Sequence, residues 1–152
     1  MINVKDAPRD TILCLAAAHA LVRLDDGTIV GDPMEKTTLS ALDWNLGKGD
    51  VLTPSTSSSN KTNLTIRRRF QFSSALKRMS TVSGLPGGKL VAAVKGAPET
   101  IKTMLQNIPS YYDETYKEYT RQGSRVLALG MKEMEVLSTD KVRPLVLAPF
   151  HC

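Results

Sequence analysis

The sequence predicts an α+β domain in which a mostly antiparallel sheet is flanked by helical pairs. Three observations predict it. Residues 64–72 alternate with a period of two, which marks a strand. The runs Met79–Ser83 and Lys89–Lys95 flank Gly84-Leu85-Pro86-Gly87-Gly88, the layout of a hairpin. Helix-spaced segments with start and stop signals lie on both sides of that strand block. Hairpins join strands antiparallel, and helices grouped around such a sheet give the α+β class. At 152 residues the chain suits one domain, residues 1–152, with its own hydrophobic core.

The elements follow in chain order. A first helix is expected from Pro8 to Leu21, with Ile12, Leu15, Ala16 and His19 at helical spacing. Asp25-Asp26-Gly27 is a turn before a short strand, Thr28–Val30. A second helix starts after Asp32, its N-cap, with Pro33 in the first helical position and Glu35 in the third. Thr53–Asn63, rich in Ser and Thr, is a loop by composition. In the strand that follows, Leu64, Ile66, Arg68, Phe70 and Phe72 share one face, and Arg67, Arg69 and Gln71 the other. After the hairpin, Gly96-Ala97-Pro98-Glu99 opens a helix running to about Gln106. Tyr112–Gln122 is its partner, stopped by Gly123. Arg125–Met131 is another strand, Leu145–Ala148 a candidate last one, and residues 136–152 a tail.

Composition removes several function classes. Apolar residues are 41% and charged residues 23%, ordinary globular values. No apolar run reaches the roughly 18 residues that cross a bilayer, and the first ten residues lack a signal-peptide layout, so the chain as it stands is expected to be soluble. Two cysteines, Cys14 and Cys152, make no disulfide framework, and Cys14 in an apolar run reads as a buried structural thiol. The histidines, His19 and His151, stand far apart, and no Cys/His cluster has zinc spacing. His19 on a helix face reads as a packed or surface histidine. Neither a G-x-x-x-x-G-K-[ST] loop nor a G-x-S-x-G elbow is present. The net charge of +5 is unevenly spread: residues 51–98 hold eight basic side chains and no acid. That block points to an anionic partner.

Four short blocks could meet such a partner. Gly31-Asp32-Pro33-Met34-Glu35 is a helix start, which alone explains its carboxylates. Phe72-Ser73-Ser74-Ala75-Leu76-Lys77-Arg78 sets an aromatic ring before two cations, between strands. Lys95-Gly96-Ala97-Pro98-Glu99 puts a lysine at a strand end and a glycine where backbone can approach a ligand, ahead of a helix N-terminus that favours anions. Arg125 begins a strand, on the face of Leu127 and Leu129, where a buried cation needs a partner.

Taken in order, GDPMEKTTL, FSSALKRMS, VKGAPE and GSRVLAL resemble the nucleotide-binding domain of P-type ATPases. The likeness runs from about Leu13 to Leu129. Leu76 and the tracts CLAAAHALVRLDDG and VAAVKGAPETI are similar to the fifth class, in its endoplasmic-reticulum subgroup, which removes misplaced transmembrane helices. The resemblance implies an ATP site. Phe72 would stack on adenine, Glu35 would receive its exocyclic amine, and Lys95 would line the pocket between base and phosphates. Lys77 and Arg125 would face the phosphates, and Gly96 would leave room for the nucleotide. It also implies Mg²⁺ in the full-length parent, and as partners the parent's phosphorylation and actuator domains. Neither D-K-T-G-T nor T-G-E-S occurs in the chain. The expectation is an insert that binds ATP without hydrolysing it. The parent is expected to be the ATPase, with this domain on the cytosolic face of the endoplasmic-reticulum membrane and touching membrane only through the parent. The rival reading of the basic block, a nucleic-acid binder, fits poorly: Arg67, Arg68 and Arg69 alternate between faces, and few aromatics interleave with them. A protein-interaction module with no small ligand is the other alternative.

Overall fold

The computed structural model describes residues 4–55 and 62–134. Its elements are α1 (Arg9–Ala17), β1 (Val22–Arg23), β2 (Ile29–Val30), α2 (Pro33–Ala41), β3 (Trp44–Leu46) and β4 (Val51–Pro54), followed by β5 (Leu64–Ser73), β6 (Arg78–Gly84), β7 (Leu90–Gly96), α3 (Pro98–Lys102), α4 (Tyr112–Arg121) and β8 (Ala128–Met134). Strands β3 to β8 form one six-stranded sheet in chain order, and every adjacent pair is antiparallel. β1 and β2 make a separate ribbon. The α+β class with a mostly antiparallel sheet is therefore observed. Helices cover both sheet faces, which accounts for the continuously buried run Val91–Val94 in β7.

Residues alternate between two cores. On one face, Val91, Ala93 and Met131 pack with Leu13, Cys14, Ala16 and Ala17 of α1 and with Leu39 of α2. On the other, Ala92 and Val94 pack with Ile101, Met104 and Leu105 at and after α3. The Cys14 thiol is buried, as expected, and donates to the carbonyls of Val94 (3.8 Å) and Gly130 (3.5 Å). α3 and α4 are tied by Lys102 Nζ to Asp113 Oδ2 (2.5 Å) and by Tyr112 Oη donating to Pro98 O (2.9 Å). α4 ends as Gly123 predicts. With φ at 81°, that glycine lets Ser124 N–H reach Tyr119 O (2.9 Å) and its own N–H reach Thr120 O (3.0 Å), which satisfies two terminal carbonyls.

Several boundaries differ from expectation. α1 stops at Ala17, and its buried positions are Leu13, Cys14, Ala16 and Ala17, while Ile12 and Leu15 are partly buried. His19 therefore lies beyond the helix, not on its face. α3 ends at Lys102, well short of Gln106. The β3–β4 hairpin takes Thr53 and Pro54 out of the predicted loop. β3 has three residues, too few to display an alternation, and its turn needs left-handed backbone at Gly49 and Asp50, with φ of 67° and 59°. Residues 56–61 of the loop, the tail 136–152, the candidate strand Leu145–Ala148, His151 and Cys152 lie outside the described residues.

Candidate functional site

Cross-strand register gathers most of the candidate residues at one end of the sheet. Arg78 pairs with Gly96, and Gly96 with Ala128. Met79 pairs with Lys95, and Lys95 with Leu129. Phe72 and Ser73 close β5 at this end, and the turn 74–77 joins them to Arg78. Arg125 lies three residues before Ala128. Glu35 joins from α2 through Lys95.

The faces differ from a simple alternation because β5 carries two register shifts, one between Ile66 and Arg68 and one between Phe70 and Ser73. Each extra residue moves the following side chains to the opposite face. Ile66 faces Ser83, but Arg68 faces Val82, so Arg68 and Phe70 sit on the α3 side. Arg69 faces Thr81, whose hydroxyl donates to Ala17 O (3.2 Å), so Arg69 shares the α1 side with Leu64 and Ile66. The second shift restores Ser73 opposite Arg78, which sets Phe72 back on the side of Met79 and Lys95. The predicted common face of Phe70 and Phe72 is therefore corrected. Phe72 is 62% exposed, a large apolar ring accessible from solvent.

Glu35 does not complete a capping box. Asp32 caps α2 alone, its Oδ1 accepting from Met34 N (2.8 Å) and Glu35 N (3.2 Å). The Glu35 carboxylate turns away from the cap. Its Oε2 accepts from Ala20 N (2.9 Å) and its Oε1 from Lys95 Nζ (2.8 Å). Both side chains of this pair are largely shielded, at 17% exposure for Lys95 and 12% for Glu35. The pair links two blocks sixty residues apart and charges the same patch with both signs.

Gly96 has a local reason to be glycine. A Cβ there would lie 2.4 Å from Lys77 O and under 3 Å from Arg78 Cα and Cβ. The room left by the missing side chain is filled by the chain itself, so close strand approach is by itself a reason for glycine here. Ala97 N–H donates to Lys77 O (3.0 Å), which clamps the turn onto the strand end. Lys77 is exposed and holds φ at 50°, left-handed backbone that a non-glycine residue adopts at a cost. Arg125 also differs from expectation. β8 begins at Ala128, so Arg125 precedes the strand and is exposed, rather than sharing a strand face with Leu127 and Leu129.

Sequence reasoning missed a polar cluster directly behind this surface. Arg69 grips Asp50 with two nitrogens, Nη1 to Oδ2 (2.9 Å) and Nη2 to Oδ1 (2.8 Å). It also donates from Nε to His19 O (3.1 Å) and from Nη2 to Leu21 O (3.2 Å). His19 is 2% exposed, and its Nδ1 accepts from Leu21 N (3.1 Å). Only the run Arg67-Arg68-Arg69 hinted at this cluster, and nothing in the letters says which arginine turns inward. Burial, with the nearby Arg69 charge second, lowers the His19 pKa from 6.5 to about 4. The sign is set by which state takes the proton. The unfolded chain protonates His19 near 6.5 and the native chain only near 4, so stability falls as pH drops through that window. The slope should approach ~1.4 kcal/mol per pH unit. Urea midpoints between pH 7 and 4.5 should fall less steeply in His19→Asn; parallel slopes would refute a neutral buried ring.

A separate groove of about 1020 Å³ runs along β8 beside α1 and α4, lined in part by Tyr111, Tyr112, Tyr116 and Tyr119. None of the six candidate residues lines it. Among the described residues, no helix is long and apolar enough to cross a membrane.

Comparison with known proteins places the chain in a family. The family described as P-type ATPase, cytoplasmic domain N, matches residues 3–146. The endoplasmic reticulum transmembrane helix translocase of Saccharomyces cerevisiae is 50% identical over 145 residues, covering 95% of this chain and 12% of that protein. Its namesake in Schizosaccharomyces pombe is 49% identical over 139 residues, 86% of this chain and 12% of that protein. A probable manganese-transporting ATPase of Arabidopsis thaliana is 40% identical over 143 residues, 94% and 12% respectively. The chain thus spans about one eighth of the relatives it matches. With its antiparallel sheet, its Phe72–Lys77 turn packed on the Lys95–Gly96 strand end, and a family match over nearly its whole length, the chain belongs to the cytoplasmic domain N of P-type ATPases.

Proposed function

We propose that this chain binds ATP at the β5–β8 end of the sheet and, within its parent, presents the γ-phosphate to an aspartate on another domain. One observation carries the reading. The second register shift in β5 sets Phe72 on the same face as Lys95, and Lys95 is already in contact with Glu35. On this reading an open aromatic ring, a carboxylate and a lysine serve one patch, and the exposed Lys77 and Arg125 supply its phosphate side. These residues fit the ligand chemically: the ring stacks the base, the carboxylate accepts from an amine, and the cations meet phosphate oxygens. Mg²⁺ in the parent would supply charge neutralisation on the phosphates. The parent is proposed to be an ATP-driven translocase of the endoplasmic-reticulum membrane acting on misplaced transmembrane helices, a reading supported by two relatives near 50% identity named endoplasmic reticulum transmembrane helix translocase.

Stacking is worth about 1–3 kcal/mol and each charge-assisted hydrogen bond roughly 1.5–3 kcal/mol, while ordering takes back several. A dissociation constant of roughly 0.1–1 mM follows. Phe72→Ala should raise it by about 5- to 150-fold, with little loss of stability because the ring is mostly exposed. Amide-shift titrations with ATP check this. Unchanged affinity in Phe72→Ala would remove the stacking role. A steeply salt-dependent affinity for single-stranded DNA would favour the nucleic-acid alternative instead.

A further inference from the structure

Residues 19–21 run between two ion pairs. On the inner side, Arg69, anchored by Asp50, donates to His19 O and Leu21 O. On the outer side, Ala20 N–H donates to Glu35 Oε2, and Glu35 Oε1 takes Lys95 Nζ. The stretch therefore offers the carboxylate a single amide, that of Ala20. The direction of that amide depends on the fold of three residues outside any helix or strand.

His19 shapes those three residues. Its Nδ1 accepts from the amide two residues ahead, Leu21 N–H, as Asn and Asp side chains do in short turns. Because Nδ1 accepts, the proton of the neutral ring sits on Nε2. Nε2 is buried and has no hydrogen-bond partner among the described residues. An orphaned buried donor is unfavourable, a cost an aliphatic side chain of similar size would avoid. The ring's contribution is then its Nδ1 acceptor, together with its bulk.

We propose that His19 is a positioning residue for purine selectivity: its Nδ1 bond to Leu21 N–H aims the Ala20 amide at Glu35 Oε2 and so fixes the carboxylate that reads the base. This rests on the reading of Glu35 as acceptor for an exocyclic amine. A carboxylate held by the Ala20 amide on one oxygen and by Lys95 Nζ on the other accepts from the 6-amino group of a purine and repels a 6-oxo group. A carboxylate without the Ala20 amide pivots on its Lys95 contact, which relieves that repulsion and loses the distinction. His19 touches no nucleotide in this scheme and acts only through Ala20 and Glu35.

The test compares ATP with inosine triphosphate on the 152-residue chain, by amide-shift titration of His19→Leu, His19→Asn and Glu35→Gln, with thermal midpoints measured alongside. His19→Leu should lose the preference for ATP by about threefold or more, while His19→Asn, whose Oδ1 can take the Leu21 amide, should keep it within about twofold. Loss of affinity for both nucleotides in equal proportion would mark a merely structural role and overturn the proposal. So would His19→Asn falling as far as His19→Leu. If Glu35→Gln leaves the preference intact, the Glu35 reading itself fails and His19 with it. If Glu35→Gln abolishes the preference and His19→Leu does not, only the His19 assignment fails. Should His19→Leu not fold, the unmodified chain decides: at matched saturation ATP should shift the Ala20 amide further than inosine triphosphate does, and equal shifts refute the proposal.

Discussion

Gly96→Ala should lower stability by about 3 kcal/mol or more and weaken ATP binding at the same time. The added Cβ meets Lys77 O at 2.4 Å, Arg78 Cβ at 2.8 Å and Arg78 Cα at 2.9 Å. All three belong to the backbone or sit directly on it, so no side-chain rotation relieves the clash. The β6–β7 pair must separate where Arg78 faces Gly96, and the Ala97 N–H bond to Lys77 O goes with it. Lys77, Arg78 and Lys95 then move together. For a chain of this length the thermal midpoint should drop by roughly 6–12 °C. Gly47→Ala is the comparison. Its new Cβ meets only Val51 O, at 3.3 Å, and its φ of −90° is ordinary for alanine. Thermal melts of the two variants, with ATP titrations where they fold, check the prediction. Equal midpoints would mean that strand approach at Gly96 is not close.

Arg69→Met should be the most damaging change within the arginine run, and Arg68→Met the mildest. The Arg69 side chain is 14% exposed and supplies four hydrogen bonds, two to Asp50 and one each to His19 O and Leu21 O. Removing it leaves two backbone carbonyls and a carboxylate without that donor. Asp50 is 38% exposed and regains water, which reduces the loss, so about 2–4 kcal/mol is expected. Arg68 is exposed and faces Val82 on the opposite side of the sheet, so its loss should stay within about 0.5 kcal/mol. Adding Asp50→Asn to Arg69→Met should recover part of the loss by removing the unpaired charge, but not the part due to the carbonyls. Urea denaturation of the four proteins gives the comparison. Similar midpoints for Arg68→Met and Arg69→Met would contradict the assignment of Arg69 to the α1 face.

Much of the fold was legible because its signals are local. The hairpin of β6 and β7 is written as two runs around a Gly-Leu-Pro-Gly-Gly turn. The start of α2 is written in Asp32-Pro33, where a side-chain oxygen next to two backbone amides suffices. The stop of α4 is written in Gly123, whose positive φ needs no distant partner. Other features were not legible. β3 is only three residues long, and α1 ends where Ala18 leaves the helix and buried His19 turns inward rather than where apolar letters stop. Glu35 read as part of a helix start because that geometry is local, yet its partners are Ala20 and a lysine sixty positions away.

The sequence by itself determined the α+β class, most of the strands, the caps and the four blocks that carry the family likeness. Each rests on neighbours within a few residues, where chain geometry leaves few choices. Only the tertiary structure decided which face each residue of β5 shows, which of three arginines turns inward, and why position 96 must be glycine. Those outcomes come from pairing with β6 and β7: one extra residue against a partner strand reverses every later side chain, and no single strand records where its neighbour will slip.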